Sequence, residues 1–278
     1  MINTATHLID MALKEDYGSG DITTDNLIDP TLSGVGEVIA KEPIIIAGID
    51  IFQQVFTHID PNVVTTSGYK DGDFIQKGES ILTVEGSMRA LLIGERTALN
   101  FLQRLSGIAT LVRSYVDLLD NKKVRLVDTR KTTPGWRVLE KYAVRVGGGD
   151  NHRMGLYDGV LIKDNHIAAS GGIPQSIRRI KNKVSHLIKI EIEVSDLDGV
   201  KAAVEAGADI IMLDNMDIVQ IKEAVALIGG KAVVEASGNI AKNNLTELAD
   251  SGVDIISVGA LTHSARCVDI SMKITAPV

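Results

Sequence analysis

The segment IKIEIEV, residues 188–194, belongs to a series of strand-like runs that are separated by helix-like sequence. The other members are VRLVD (124–128), DGVLIK (158–163), ADIIMLD (208–214), AVVEAS (232–237) and VDIISVG (253–259). The last four runs begin 20 to 24 residues apart, which is the length of one strand and its crossover helix. The spacing predicts parallel strands, arranged either as a barrel or as a doubly wound sheet.

Polar or small residues stand near the carboxyl end of nearly every predicted strand. They are Asp128, Lys163, Glu193, Asp214, Glu235 and Gly259. Barrel enzymes build their active sites at this rim from the ends of many strands, whereas an open sheet concentrates them at one switch point. We therefore favour an incomplete parallel α/β barrel with its site at the C-terminal rim of the strands.

An α+β, sandwich-like domain with an antiparallel sheet is predicted ahead of the barrel. The strand-like runs VGEVIAKEPIIIAG, VVTTSGY and SILTVEG are separated by the turn-like KDGD and QKGE, and a helix is expected near residues 49–58. Residues 3–17 show helical periodicity, with three apolar residues expected on the inner face: Leu8, Ala12 and Leu13.

The segment 88–119 has apolar residues at helical spacing, and Gly107 is expected to break it into two helices. We assign residues 1–108 to the N-terminal domain and residues 109–278 to the barrel.

The composition is that of a globular protein, with 45% apolar and 23% charged residues. The single cysteine, Cys267, excludes an internal disulfide and a cysteine-based zinc site. The N-terminus lacks the features of a signal peptide, and no apolar run approaches the roughly 18 residues of a membrane span. We expect a cytoplasmic protein that binds neither membrane nor, given its net charge of -7, nucleic acid.

Positive charge is concentrated in one segment of this acidic chain. Residues 122–163 hold ten Lys or Arg and four Asp or Glu, a net charge of +6, against -7 for the whole chain. The pattern fits either a site for a small anion or a solvated basic face.

Alternation along IEIEV places Glu191 and Glu193 on one face of a strand, opposite the isoleucines. Both carboxylates should point into the barrel, where each needs a cation or a hydrogen-bond donor. Glu191 is interpreted either as a structural partner of neighbouring lysines or as a functional group. Glu193 lies nearer the rim, and a functional role is favoured there.

Three further segments offer ligand groups at the rim. Asp214 and Asn215 suit ribose hydroxyls or Mg²⁺, or else a helix N-cap. EASGNI (235–240) and SVGALTHSA (257–265) place small residues where helices should begin, so they suit a phosphate or are ordinary turns.

Two motifs carry the basic residues. DTRKTTPGWR (128–137) and GGGDNHRMG (147–155) supply a dense set of cations if the strands bring them together, although a helix starting near Trp136 could place Arg137 elsewhere. The set, with one residue from the next strand, is Arg130, Lys131, Arg137, His152, Arg153 and Lys163. Walker-type, HExxH and GxSxG motifs are absent from the sequence.

The ordered motifs resemble those of one family. EDYGSGDITT, ERTALNFLQRLSGIAT, DTRKTTPG, KYAVRVGGGDNHRMGL, LIKDNH, LDN and VGALTHS together resemble quinolinate phosphoribosyltransferase, also called nicotinate-nucleotide pyrophosphorylase (carboxylating). The resemblance covers essentially the whole chain. It implies an N-terminal α/β sandwich, an incomplete barrel of seven strands, and dimers or assemblies of dimers in which one subunit helps close the site of the other. The seventh strand would lie near KYAVRVG (141–147), a segment that also fits a helix.

The resemblance implies that quinolinate and 5-phosphoribosyl 1-pyrophosphate give nicotinate mononucleotide, pyrophosphate and CO₂ with Mg²⁺, in NAD biosynthesis. The implied quinolinate ligands are Arg130, His152, Arg153 and Lys163, with Arg96 and Arg137 reaching across the subunit interface. Lys131 would hold phosphate or pyrophosphate. The remaining implied ligands bind the phosphoribosyl donor. Glu193 and Asp214 would bind ribose or Mg²⁺, with Asn215 in support. The implied ligands of the 5-phosphate are Ser237, Gly238, Gly259 and His263.

Two departures from the family pattern concern uncharged positions, Trp136 and Ala236, where the family commonly has an aliphatic residue and a second serine. His152 is interpreted as a binding residue or, alternatively, as a structural imidazole that bonds a loop carbonyl. Two rival functions are a related transferase-like protein associated with molybdenum transport and a non-catalytic phosphate-binding barrel. The complete cationic set disfavours the first, and the carboxylates Glu193 and Asp214 disfavour the second.

Overall fold

The computed structural model describes residues 2–120 and 123–275, and the chain forms two compact units. Unit 1 contains the residues up to 113, then 132–148, and the residues from 261 onward, while unit 2 contains 114–131 and 149–260. Each unit thus uses more than one stretch of the chain, whereas the predicted boundary after residue 108 divides the chain once. That boundary stays a prediction.

Unit 1 is built on an antiparallel sheet, as predicted. Its strands are β1 (Ser33–Ala40), β3 (Val64–Ser67), β5 (Ser80–Ser87) and β12 (Ile270–Thr275), in the order β12-β1-β5-β3. A separate ribbon pairs β2 (Ile44–Ile45) with β4 (Phe74–Ile75). The two predicted turns hold Gly72 and Gly78 at φ of 98° and 90°, a region that glycine enters without steric cost.

The helices of the N-terminal part are α1 (Ile2–Tyr17), α2 (Ile22–Leu27), α3 (Ile49–Ile59) and α4 (Met88–Leu119). The predicted helix near 49–58 is therefore confirmed as α3, which buries two pairs of residues four apart: Ile51 and Val55, and Phe52 and Phe56. On α1 the fully buried residues are Ala5 and Ile9, and the three residues predicted inside, Leu8, Ala12 and Leu13, are half-buried on the adjacent face.

The prediction that Gly107 breaks α4 is wrong, because α4 is one continuous helix of 32 residues. A β-carbon built on Gly107 would lie 2.0 Å from the carbonyl oxygen of Arg266. The glycine is therefore needed for close approach of another segment of unit 1, and not for a bend.

Unit 2 contains the six predicted parallel strands. They are β6 (Arg125–Val127), β7 (Val160–Ile162), β8 (Ile190–Val194), β9 (Ile210–Asp214), β10 (Val233–Ser237) and β11 (Ile255–Ser257). The sheet order is β6-β11-β10-β9-β8-β7, so within the described residues β6 and β7 are edges that do not pair. The sheet is an open barrel, as the sequence predicted.

The alternative that KYAVRVG is a strand is wrong, since it lies in helix α5 (Arg137–Val146) of unit 1. Beyond β6 the sheet is extended by a single parallel bridge between Val127 and Asp150. The first of the three glycines before Asp150 is required by packing. A β-carbon on Gly147 would lie 2.6 Å from the carbonyl oxygen of Ala109, so this residue is glycine because α5 and α4 pack tightly there.

Helices follow the strands of unit 2. They are α6 (Asp164–Ser170), α7 (Ile173–Lys181), α8 (Leu197–Ala206), α9 (Ile218–Ile228), α10 (Lys242–Ala249) and the short α11 (Ala260–His263). Side chains of β8 alternate as predicted: Ile190, Ile192 and Val194 are buried on one face, and Glu191 and Glu193 lie on the other. None of the helices in the described ranges has the length and apolar content that crossing a membrane requires.

Candidate active site

Lys163 and Glu193 form an ion pair where β7 and β8 end. Ile162 pairs with Ile192 in the sheet, so the next residues along these strands are neighbours, and Lys163 Nζ lies 2.7 Å from Glu193 Oε2. The lysine side chain is 45% exposed and the glutamate 16% exposed. A partly exposed pair of this kind contributes little to stability, so the ammonium can also bind an incoming anion.

Asp214 and Asn215 end β9, beside Ser237 at the end of β10. The amide of Asn215 donates to the carbonyl of Ser237 at 2.9 Å, and Asn215 Nδ2 donates to Asp214 Oδ2 at 2.8 Å. Asn215 has φ of 55°, an uncommon conformation for a residue other than glycine. A β-carbon on Gly238 would lie 2.2 Å from Asn215 Oδ1, so the two loops are in close contact.

The N-cap alternative for Asp214 and Asn215 is wrong. The N-cap of α9 is Asp217, whose carboxylate accepts from the amide of Gln220 at 2.9 Å. Asp214 therefore keeps a carboxylate at the rim that the helix does not use. It shares the inward face with Glu193, because Glu193 pairs with Met212 two residues earlier on β9. Two carboxylates on neighbouring strand ends are suitable ligands for Mg²⁺.

The two loops predicted to bind phosphate differ in form. Gly238 has φ of 92°, and α10 begins only at Lys242, so the first loop leads into its helix over several residues. Gly259 directly precedes α11, which has four residues. His263 ends α11 in unit 1, where its Nδ1 lies 2.8 Å from Ser264 Oγ. A pocket of about 230 Å³ is lined by Asn215, Ser237 and Gly238 among others.

The main chain at His152 and Arg153 is held by a buried carboxylate. Asp128, fully buried after β6, accepts from the His152 amide at 2.9 Å and from Asn151 Nδ2 at 2.7 Å. Asp128 was predicted as a rim residue without a specific role. Its position as the first residue of the DTRK motif was the available signal, but the partner segment 150–153 cannot be read from the sequence.

Arg153 is a cation that lacks part of its hydrogen bonding. Its Nη1 donates to the carbonyl of Gly159 at 2.9 Å, while its Nε is buried without a partner in the described part of the chain. Burial lowers the pKa of the Arg153 guanidinium, and the nearby Arg130 lowers it further, while Glu191 opposes both. A desolvated guanidinium with an unused donor beside a second cation is suited to bind an anion.

His152 contacts two buried carboxyl groups. Its Nε2 lies 3.1 Å from Glu191 Oε2 and 3.7 Å from Glu235 Oε1, and its Nδ1 accepts from the Arg153 amide at 2.8 Å. The structure pairs Glu191 with His152, whereas the structural interpretation from the sequence paired it with neighbouring lysines. The loop-carbonyl partner proposed for His152 is replaced by these carboxyl groups and the amide.

The prediction that Glu235 stands at the rim of the barrel is wrong. Glu235 is the third of the five residues of β10 and only 1% exposed. Burial first, and then the charge of Glu191, raise the pKa of Glu235 to about 7. Its position two residues from Ser237 was a usable signal, because alternation places both side chains on the inner face.

The three groups His152, Glu191 and Glu235 could geometrically hold a metal, since one ligand atom of each lies within 4.8 Å of the others. The hydrogen bond from the Arg153 amide to Nδ1 argues against this. A neutral ring that accepts at Nδ1 carries its proton on Nε2, the atom that would have to coordinate the metal. The cluster is therefore better suited to hold a proton.

A pocket of about 380 Å³ is lined by His152 and Arg153, and also by residues that begin strands, namely Arg125, Val160, Ile210 and Ile255. It reaches the amino ends of the strands, whereas Lys163, Glu193 and Asp214 lie at the carboxyl ends. Glu191 and Glu193 connect these two regions, because they are two residues apart on one face of β8.

The other predicted cations are on loops and helices. Arg130 and Lys131 are exposed after β6, and the Lys131 amide donates to Thr129 Oγ1 at 3.1 Å. In unit 1, Arg137 begins α5 and its Nε donates to Thr132 Oγ1 at 3.0 Å. Arg96 is exposed on α4 and lines a pocket of about 340 Å³ with Trp136. Trp136 stacks on Phe101 with 4.7 Å between ring centroids.

Two family profiles match almost the entire chain. "Quinolinate phosphoribosyl transferase, N-terminal domain" matches residues 21–106, and "Quinolinate phosphoribosyl transferase, C-terminal domain" matches residues 108–273. The "Probable nicotinate-nucleotide pyrophosphorylase [carboxylating]" of Bacillus subtilis (strain 168) is 44% identical, over 96% of this chain and 92% of that protein. The chloroplastic "Nicotinate-nucleotide pyrophosphorylase [carboxylating]" of Arabidopsis thaliana is 41% identical, over 96% and 82%.

A solved structure agrees with these relatives. The crystal structure of NadC from Streptococcus pyogenes has a TM-score of 0.96 and 42% sequence identity, over 100% of this chain and 99% of that one. The sequence, its antiparallel and parallel sheets, and these relatives lead to one assignment. The chain belongs to the quinolinate phosphoribosyltransferase family.

Proposed function

We propose that the protein transfers the phosphoribosyl group of 5-phosphoribosyl 1-pyrophosphate to quinolinate and releases CO₂ and pyrophosphate. The product is nicotinate mononucleotide, an intermediate of de novo NAD biosynthesis. Membership of the family supports the reaction. The observation that carries the proposal is Arg153, a half-buried residue whose buried Nε has no partner in the described ranges and whose neighbour is a second cation, Arg130.

The acceptor site needs several cations, because quinolinate has two adjacent carboxylates. We assign to it Arg130, His152, Arg153 and Lys163, with Arg96 and Arg137 supplied by a second subunit. An arginine matches a carboxylate with two parallel hydrogen bonds, and the unused Nε of Arg153 makes one such donor available. Lys163 adds a point charge that Glu193 at 2.7 Å holds in place until the acceptor binds.

The donor site uses the strand ends and the loops that follow them. Glu193 and Asp214 bind the ribose hydroxyls or Mg²⁺, and Asn215 fixes the Asp214 carboxylate at 2.8 Å. When bound, Mg²⁺ neutralises the charge that develops on the pyrophosphate. Lys131 binds pyrophosphate oxygens, and Ser237, Gly238, Gly259 and His263 bind the 5-phosphate.

Departure of pyrophosphate leaves positive charge on the ribose ring, which nearby carboxylates stabilise electrostatically. The pyridine nitrogen then forms a bond to the anomeric carbon and becomes cationic. The bond between C2 and its carboxylate breaks to give CO₂, and its electron pair stays on C2, where the adjacent cation stabilises it. A proton then adds to C2, so decarboxylation itself requires no general base, and His152 is assigned to binding.

We further propose a homodimer, or an assembly of dimers, with shared active sites, as the family resemblance implies. Arg96, exposed on α4, is the residue proposed to reach the site of the partner subunit. A cytoplasmic location is proposed from the exposed cysteine Cys267, which suits a reducing compartment.

The decisive experiment incubates the purified protein with quinolinate, 5-phosphoribosyl 1-pyrophosphate and Mg²⁺. Release of labelled CO₂ from the 2-carboxylate and formation of nicotinate mononucleotide are measured together. Both products should appear in equal amounts. A parallel reaction with nicotinate as acceptor is the control, and product from nicotinate with none from quinolinate would contradict the proposal.

A further inference from the structure

We infer that Glu191 is a positioning residue for the acceptor site, with Glu235 as the partner that controls its charge environment. Glu191 holds the His152 ring in one tautomer, and that ring in turn holds the main chain at Arg153. The inference rests on the proposed function, because it describes how the site for the quinolinate carboxylates is kept in shape.

The first step concerns the ring of His152. Nδ1 accepts the amide hydrogen of Arg153 at 2.8 Å, so the proton of the neutral ring must be on Nε2. Nε2 faces the Glu191 carboxylate, with its two oxygens at 3.1 and 3.3 Å. Glu191 therefore accepts the Nε2 hydrogen and selects the tautomer that leaves Nδ1 as an acceptor.

The second step concerns Arg153. Its amide is bound by the His152 ring, and the preceding amide is bound by the buried Asp128 at 2.9 Å. The main chain from which the Arg153 side chain extends is thus fixed at two consecutive amides. Fixing the base of the side chain limits where its partly buried guanidinium can lie, which favours one geometry for the bound carboxylate.

The third step concerns Glu235, the second carboxyl group near Nε2 of His152. It is 1% exposed, and its Oε1 has no hydrogen-bond partner in the described ranges. Burial and Glu191 raise its pKa to about 7, so Glu235 is largely protonated below neutral pH. In that form Glu235 does not compete as a second carboxylate with Glu191 for the Nε2 hydrogen of His152.

Ionisation of Glu235 above pH 7 would add a second buried negative charge next to Glu191. That charge competes for the Nε2 hydrogen and also opposes binding of a dianion at Arg153. The charged or titratable groups that line the same pocket are Arg125, Arg153, Asp158, Lys189, His152 and Glu191. Hydrogen bonding from Ser257 opposes the increase in the Glu235 pKa, as a positive charge on the His152 ring would do if that ring were protonated.

Three variants test the positioning role. Glu191→Leu removes the acceptor, Glu191→Gln keeps an acceptor oxygen, and Met212→Leu changes a buried apolar residue that pairs with Glu235 across the sheet. We expect Glu191→Leu to raise KM for quinolinate roughly tenfold or more, as loss of a charge-assisted hydrogen bond would. The KM for 5-phosphoribosyl 1-pyrophosphate should stay within about twofold, and Glu191→Gln and Met212→Leu should resemble wild type.

The inference is overturned if Glu191→Leu leaves KM for quinolinate unchanged, or if all three variants lose activity alike. Thermal unfolding of each variant is measured first. If Glu191→Leu does not fold, the test is the position of the proton on the His152 ring in wild type and in Glu191→Gln. Nitrogen-15 NMR of labelled histidine, assigned with His152→Asn, should show a bare Nδ1 in wild type and in Glu191→Gln. A protonated Nδ1 in both would overturn the inference.

The pH profile tests Glu235. In wild type, KM for quinolinate should rise as the pH passes through about 7, and Glu235→Gln, which cannot ionise, should show no such rise. An identical rise in both proteins would refute the role of Glu235. Stoichiometric binding of Zn²⁺ to wild type that is lost in Glu235→Gln would also refute it, because the cluster would then hold a metal.

Failure of the proposed function is distinguishable from failure of the inference. If wild type gives no product from quinolinate, the proposed function fails, while the NMR measurement still tests the tautomer of His152. If wild type is active and the Glu191 variants behave alike, only the positioning role fails.

Discussion

The guanidinium of Arg153 differs from the ammonium of Lys163 in its polar contacts. Lys163 has a carboxylate partner at 2.7 Å, whereas the buried Nε of Arg153 has none in the described residues. An unsatisfied buried donor costs free energy in the unliganded protein, and a bound carboxylate removes that cost. Arg153 should therefore contribute more to acceptor affinity than Lys163, whose ammonium already has a partner.

Arg153→Ala should raise KM for quinolinate by roughly 10- to 100-fold, the loss expected for a hydrogen-bonded charge pair. The KM for 5-phosphoribosyl 1-pyrophosphate should change little. Steady-state kinetics with each substrate varied in turn measure both constants. Lys201→Ala, which removes an exposed cation of α8, serves as the control. A loss confined to the phosphoribosyl donor would contradict the assignment of Arg153.

Glu235 should also affect stability. Its pKa is raised from 4.5 to about 7 in the native protein, so the native state binds the proton more tightly than the unfolded state. The free energy of unfolding of wild type, relative to Glu235→Gln, should be highest below pH 4.5. It should fall by about 3 kcal/mol as the pH rises to 7, and change little above that. Urea denaturation of both proteins at several pH values measures it, and a flat difference would contradict the raised pKa.

At the scale of elements, α4 illustrates how one glycine can be misread. Its 32 residues continue through Gly107 without a break. The residue is glycine because the carbonyl oxygen of Arg266 lies where a side chain would begin. Helical propensity alone would favour alanine at an exposed site by about 1 kcal/mol. Close packing reverses that preference here.

Gly107→Ala should destabilise the protein by about 2 kcal/mol or more, because a β-carbon 2.0 Å from a backbone oxygen forces the two segments apart. Asn100→Ala, at an exposed position of the same helix, should be neutral or slightly stabilising. Denaturant unfolding of the two variants provides the comparison. Equal stability of Gly107→Ala and wild type would show that the segments can separate at little cost.

The end of β9 separates a structural acid from a functional one. Asp217→Ala should reduce stability by about 1 kcal/mol and leave turnover unchanged, because Asp217 caps α9. Asp214→Ala should have the opposite profile, with little change in stability and a large loss in kcat or in affinity for the phosphoribosyl donor. Unfolding and steady-state kinetics of both variants test this prediction. A stability loss in Asp214→Ala together with a turnover loss in Asp217→Ala would contradict the assignment of Asp214.

At the scale of the whole molecule, the proposed homodimer with shared active sites can be tested with residues of different units. Arg96, Arg137 and His263 belong to unit 1, and the other assigned residues belong to unit 2. If Arg96 acts on the site of a partner subunit, two inactive variants with defects in different parts of the site can complement each other.

Mixing inactive Arg96→Ala with inactive Lys131→Ala should restore part of the activity, because some mixed dimers contain one intact site. Subunit exchange is verified separately with differently tagged chains. Each variant mixed with itself is the control. Confirmed exchange without any recovery of activity would count against a cross-subunit role of Arg96.

The sequence alone determined the six strands of the parallel sheet, three of the four strands of the antiparallel sheet, the open parallel barrel and the family. Strand β12 was not predicted, because it lies far along the chain from the other strands of its sheet. Alternation and spacing are local properties, so IEIEV identifies an inward carboxylate pair, and repeats of 20 to 24 residues identify successive strands and helices. The cationic motifs also identified His152, Arg153 and Lys163 as candidates without structural information.

Only the tertiary structure decided the partners. That α4 continues through Gly107, that Asp128 binds the amide of His152, and that Glu191 and Glu235 meet the His152 ring all depend on segments far apart in sequence. Burial and neighbouring charge depend on three-dimensional proximity, and the raised pKa of Glu235 and the unused donor of Arg153 follow from it. A sequence specifies which groups are present, and folding determines which of them lose water and meet one another.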